Sequence, residues 1–102
     1  MQLVKSKNRV NIRLTDERWR HITEEHSELA GYYYDVLETV VEPDYIYKGI
    51  DEELLAVKEV VINKYLVVIY REIVNINDGL IITAFFTKRK KQLDRRKLIW
   101  QK

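Results

Sequence analysis

The hydrophobic period of this chain turns to β for good at its only proline. Between Thr15 and Pro43 apolar residues recur at helical spacing, and beyond Pro43 they fall into short β-type runs. Thr15 is placed to cap a first helix, with Asp16 and Glu17 favourable in its opening turn, and this helix is predicted to run to about His26. Ser27 resembles a second cap. Leu29, Tyr33, Val36, Leu37 and Val40 then mark a second helix that stops near Val41, because the residue before a proline avoids the helical region. Val10, Ile12 and Leu14 alternate with polar neighbours and predict a short strand ahead of the helices.

After Pro43 the runs 45–48, 53–62, 65–73 and 80–87 read as strands. Residues 53–62 also suit a helix, since Leu54, Leu55, Val57 and Val61 fit that spacing. The β-branched Val57, Val60, Val61 and Ile62 favour the strand. Asn63-Lys64 and Asp78-Gly79 supply turns. The expected fold is α+β: two N-terminal helices packed on an antiparallel sheet of about four strands, with a short N-terminal strand. Residues 1–102 form one domain, with 1–9 and 101–102 as loose ends and Leu98-Ile99-Trp100 as an apolar anchor.

A chain of 102 residues can bury one core. It has no cysteine, which excludes disulfides and thiolate metal sites. Its longest apolar run, Leu66 to Tyr70, is too short to span a bilayer, and residues 1–7 lack the apolar stretch of a signal peptide. No membrane association and a cytoplasmic location are the resulting expectations. Net charge is +2 but unevenly spread. Residues 1–20 carry six basic and two acidic side chains, residues 21–80 four and thirteen, and residues 81–102 eight and one. The basic run comprises Lys88, Arg89, Lys90, Lys91, Arg95, Arg96 and Lys97. It fits two descriptions equally well: a set of phosphate contacts for RNA, or a solvated segment that pairs with the acidic middle.

The only histidines are His21 and His26. Five residues apart on one helix, they point about 140° from each other, which disfavours a chelating pair. No His-Glu-x-x-His pattern occurs, and no metal or other cofactor is expected. Taken singly, each histidine is more simply an ordinary surface or helix-end residue. Arg71 follows the most apolar strand and needs a partner there. Glu38, Glu59 and Glu72 are its candidates within the protein, a phosphate its candidate outside. Thr83 and Thr87 share a strand face with Phe85. Uninterrupted pairing about a two-residue Asp78-Gly79 turn puts Arg71 on the opposite face from those threonines. A common face therefore requires an odd-residue loop or a bulge, expected between Ile73 and Gly79.

The residues Trp19, His21, Ile22, His26, Glu28 and Leu29 resemble a "W-x-H-I-x-x-x-H-P-E-L" signature of small phage- and plasmid-associated domains, with Ser27 in place of the proline. Glu42-Pro43-Asp44 falls where those domains carry "N-P-D", and residues 65–68 and 78–87 look like their sheet hairpin. Such domains are similar to the barnase–EndoU–colicin–RelE nuclease superfamily. That resemblance implies helices on a four-stranded antiparallel sheet and a metal-independent endoribonuclease, in some members the toxin of a toxin–antitoxin pair with a protein antitoxin as partner. It carries over as catalytic candidates His21, His26, Arg71, Thr83 and Thr87. One histidine would take the 2′-hydroxyl proton and a second acid would protonate the leaving oxygen. Arg71 would offset charge on phosphorus, and the threonines would orient the phosphate. The alternative is a non-catalytic RNA-binding or protein-partner module on the same fold.

Overall fold

The computed structural model describes all 102 residues. Strand β1 (Gln2–Lys5) and strand β2 (Asn11–Leu14) form a hairpin that leads into helix α1 (Asp16–Glu25). The Thr15 hydroxyl accepts the Arg18 backbone N–H at 3.1 Å, so the predicted cap is in place. The second helical segment is broken. Ser27–Leu29 forms a 3-10 turn, and helix α2 begins only at Tyr33 and ends at Val41. Gly31 lies in the interruption, where a helix gains least from its presence.

Strands β3 (Tyr45–Lys48), β4 (Glu53–Val61), β5 (Lys64–Ile73) and β6 (Asp78–Thr87) form an antiparallel meander. Asn63 closes the β4–β5 turn and Asn77 the β5–β6 turn, both in left-handed backbone that asparagine tolerates, with φ of 64° and 50°. A one-turn helix α3 (Lys90–Leu93) and strand β7 (Leu98–Gln101) complete the chain.

The expectation of two helices on about four antiparallel strands is corrected. The sheet has seven strands in the order β1-β2-β6-β5-β4-β3-β7, and it is mixed, because β2 runs parallel to β6. Residues 2–5, expected as a loose end, are the outermost strand on one side. The Leu98-Ile99-Trp100 anchor is the outermost strand on the other and pairs with β3. Both edge strands are four residues long and mostly exposed, so neither has the buried alternation that marks a strand in sequence. β1 is held by its hairpin to β2, and β7 by pairing with β3 about fifty residues earlier in the chain.

Helices α1 and α2 cover one sheet face. There Ile22, Leu29, Val36, Leu37 and Val40 pack on Ala56, Leu66, Val68, Tyr70, Ile81 and Ala84, together with Val10, Ile12 and Leu14 from the N-terminal hairpin. Ile22 is only 2% exposed, and burying a side chain of this size contributes about 1.5–3 kcal/mol. Trp19 is half-buried against the same core and meets the Tyr33 ring edge-on at 5.2 Å. The opposite sheet face holds a smaller cluster, Tyr47, Leu55, Val57 and Val67, capped by Leu93 of α3.

Candidate functional site

Strand β2 pairs with β6 at one position, Arg13 with Leu80, and a two-pronged Arg13–Asp78 pair at 3.0 and 3.1 Å clamps the junction. Beyond Leu80 the edge of β6 is free of strand pairing on that side, and α1 lies along it. A concavity of about 310 Å³ opens between them, lined by Arg18, His21, Glu25 and His26 from the helix side and by Ile82 and Thr83 from the strand. An adjoining one of about 290 Å³ shares Arg18, His21 and Glu25.

Both histidines thus face one hollow, although a continuous helix would hold them about 140° apart. The cause is local. Helix α1 ends at Glu25, and His26 leaves it with non-helical backbone at φ −131° and ψ 73°. Its ring then rests 6.1 Å from Phe85, and its Nδ1 lies 3.5 Å from Glu28. The His21 side chain is 49% exposed and sits between Glu17 at 3.8 Å and Glu24 at 3.9 Å. Nowhere do three His, Asp or Glu side chains gather at metal-ligating distances.

The threonines and Arg71 depend on strand parity. Ile73 pairs with Asp78, Arg71 with Leu80 and Tyr70 with Ile81, so the four-residue turn leaves residues 73–79 in regular register. No irregularity exists where one was expected. It comes three residues later: Ile69 pairs with Thr83, and Ile82 is the extra residue of a bulge. Past that bulge Thr83, Phe85 and Thr87 pair with Ile69, Val67 and Tyr65, and Arg71 alternates onto the same face as Ile69. Arg71, Thr83, Phe85 and Thr87 therefore share a face, the one opposite the α1–α2 core. At this free edge of β6, Ile82 and Thr83 line the hollow.

Only part of the expected set converges. His21, His26 and Thr83 line the hollow, whereas Arg71 and Thr87 do not. The Thr87 hydroxyl accepts the Arg89 backbone N–H at 3.0 Å. Arg71 forms no ion pair, and its buried Nε has no partner. Its three expected carboxylates are committed elsewhere: Glu38 to Lys58 at 2.9 Å, Glu59 to the Asn63 backbone at 2.9 Å, and Glu72 to Ser6 and Asn8. Arg18 and Glu25 were not singled out from the sequence. With His21 and Ile22 they follow three- and four-residue spacing from one another, so a helical projection centred on His21 reveals them.

In the basic segment, residues 88–97, Lys88, Arg89, Lys91, Arg95, Arg96 and Lys97 are exposed. Lys90 is drawn inward: its Nζ donates to Asp94 at 2.7 Å and to the Tyr47 hydroxyl at 3.2 Å, and it lies 4.1 Å from the centre of the Tyr45 ring. Burial works against the Lys90 charge, but the bonds to Asp94 and Tyr47 outweigh it and raise its pKa above the usual lysine range. Lys90 in turn, with Tyr47, holds the Asp94 carboxyl below its ordinary value. Burial, reinforced by Asp94, pushes the Tyr47 hydroxyl up. This trio and the buried Leu93 fasten the segment across β3–β5 as a basic strap. No helix is long and apolar enough to cross a membrane. Comparison with protein-family models, curated proteins and solved structures finds no match.

Proposed function

We propose that this chain is a metal-independent endoribonuclease whose reaction centre is the hollow between α1 and the bulged edge of β6. The observation that carries the reading is the meeting of two imidazoles, a guanidinium and a hydroxyl in one open concavity, from Arg18, His21, His26 and Thr83. One histidine removes the proton of a ribose 2′-hydroxyl, which attacks the neighbouring phosphorus. The second protonates the departing 5′-oxygen, leaving a 2′,3′-cyclic phosphate and a free 5′-hydroxyl. Arg18 offsets the charge that builds on the phosphoryl oxygens, and Thr83 donates to one of them. Arg18 takes the part that the resemblance of residues 19–29 to nuclease-type domains would give to Arg71.

The test is incubation of the purified protein with defined single-stranded RNA in EDTA, with the product ends analysed. Cyclic phosphate or 3′-phosphate ends are expected. His26→Ala and His21→Ala should each slow cleavage by about 10²–10⁴. Absence of cleavage, or cleavage unchanged in the doubly substituted protein, rejects the reading. A second reading has its own observation. The strap presents six exposed cations that need no reaction centre, which fits an RNA-binding module that does not cut. RNA binding without cleavage in the same samples is its outcome.

A further inference from the structure

The sheet face opposite the α1–α2 core is only partly covered. The strap seals Tyr47, Leu55, Val57 and Val67 beneath Leu93 and stops there. On the β6 side of that seal, Ile69, Thr83 and Phe85 remain half-exposed and Arg71 is partly exposed. This strip of sheet runs between the polar side of α1 on one flank and the cationic strap on the other. We propose that it is the floor of a path for single-stranded RNA, with Phe85 as the platform on which one base stacks and Arg71 as a phosphate contact beside it. The inference deepens the ribonuclease reading and rests on it for which nucleotide lies nearest His26.

Three observations point to a single strand. First, Phe85 is a half-buried ring packed on one side against the Tyr47 cluster, and its aromatic neighbour is His26, 6.1 Å away. Tyr45 and Tyr47, on the same face, are already occupied by Lys90, and Phe86 on the other face lies under Lys64 at 4.4 Å. Phe85 is thus the ring left open at the hollow. Second, Arg71 shares the face with Thr83 through the bulge at Ile82 and lacks an ion-pair partner. Glu53 stands opposite it on β4 without closing to a salt bridge. The Arg71 Nε is buried, and the part of this permanently charged guanidinium that reaches the surface, with no ion-pair partner, is open to a phosphate oxygen. Third, the strap flank carries the exposed Lys88, Arg89, Arg95 and Arg96, which complement a polyanion rather than an apolar partner, while the α1 flank offers Arg18 beside Glu25. A duplex keeps its bases stacked inside and cannot lay one on a flat ring, whereas an unpaired strand can.

The experiment uses the full chain and a fluorescent single-stranded RNA 2′-O-methylated at every ribose, which cannot be cleaved by 2′-hydroxyl attack. Affinity is read by anisotropy at several salt concentrations. Phe85→Leu should weaken binding roughly 5- to 150-fold, the equivalent of one stacked base, while Phe85→Trp retains it. Arg71→Gln should weaken binding and flatten the salt slope by about 0.7. Melting curves establish that each variant is folded. Should Phe85→Leu not fold, Arg71→Gln and a duplex of the same length decide. Binding by Phe85→Leu within about twofold of the unsubstituted chain, or duplex bound as tightly as single strand, overturns the proposal. So does failure of the unsubstituted chain to bind at low salt, which would give this face to a protein partner. Because the strand cannot be cut, tight single-strand binding with no cleavage of ordinary RNA removes the ribonuclease reading and leaves the path standing.

Discussion

Replacing Gly79 with alanine tests the junction on which the hollow depends, and Gly31→Ala is its internal control. At Gly79 a β-carbon would overlap the Arg71 carbonyl on the neighbouring strand and the Cδ1 of Ile12. Neither yields cheaply. The carbonyl belongs to the β5–β6 ladder, where Gly79 pairs with Glu72, and Ile12 is fully buried. Overpacking of this kind costs about 1–3 kcal/mol. Relief by moving β2 away would also loosen the half-exposed Arg13–Asp78 pair, adding up to about 1 kcal/mol. The expected loss is therefore about 1–4 kcal/mol. At Gly31 nothing lies within 4 Å of the added carbon and the backbone is not left-handed. There the same substitution should stabilise by about 0.4–1 kcal/mol, chiefly by restricting the unfolded chain. Urea unfolding at neutral pH gives both numbers. In a thermal melt each 1 kcal/mol corresponds to about 4–8 °C for a domain near this size. Equal losses in the two variants, or a Gly79→Ala melt within about 2 °C of the parent, would refute the steric account of the β2–β6 junction.

Tyr70→Phe removes a hydroxyl that is buried without a hydrogen-bond partner, so we expect a gain of about 1 kcal/mol or more in urea unfolding; a loss would mean the hydroxyl is satisfied in solution. Neutralising Lys88, Arg89 and Lys91 to glutamine should lower RNA affinity and reduce the salt slope by about 2, and identical slopes would return the strap to a merely solvated role. The pH dependence follows from Asp94, whose pKa is lowered on folding by Lys90 and Tyr47. A lowered folded value means the contribution is complete above the unfolded pKa of about 3.9 and disappears as pH falls through the lower folded value. The stability difference between the parent and Asp94→Asn should therefore be constant from pH 7 to 5 and close at the acid end; a difference that instead widens on acidification contradicts the sign.

The central sheet and the start of α1 were legible because their signals are local. Thr15 caps, Pro43 terminates, and the runs 53–61 and 64–73 carry buried residues on both faces. The edge strands were not, since Gln2–Lys5 and Leu98–Gln101 bury almost nothing and are defined by partners elsewhere. Of the candidate site residues, His21, His26 and Thr83 were singled out through the resemblance of residues 19–29 and 78–87, but the reason these three line one hollow was hidden. It lies in the exit of His26 from helical backbone and in the bulge at Ile82, and neither residue is a glycine or proline that would announce a break. The irregularity expected in 73–79 lies instead at Ile82, because the turn between Ile73 and Asp78 has an even number of residues and keeps the register. Arg71 was recognised as anomalous for a sound reason, yet the carboxylates nominated for it hold other partners.

The clamp between Arg13 and Asp78 joins positions 65 residues apart, and the hollow likewise takes its two walls from opposite ends of the chain. During synthesis α1 is complete long before β6 exists, and contacts across so long a separation are late and slow to form. A growing chain therefore has both histidines but no concavity, and it gains one only when the last long strand has left the ribosome and closed against β2.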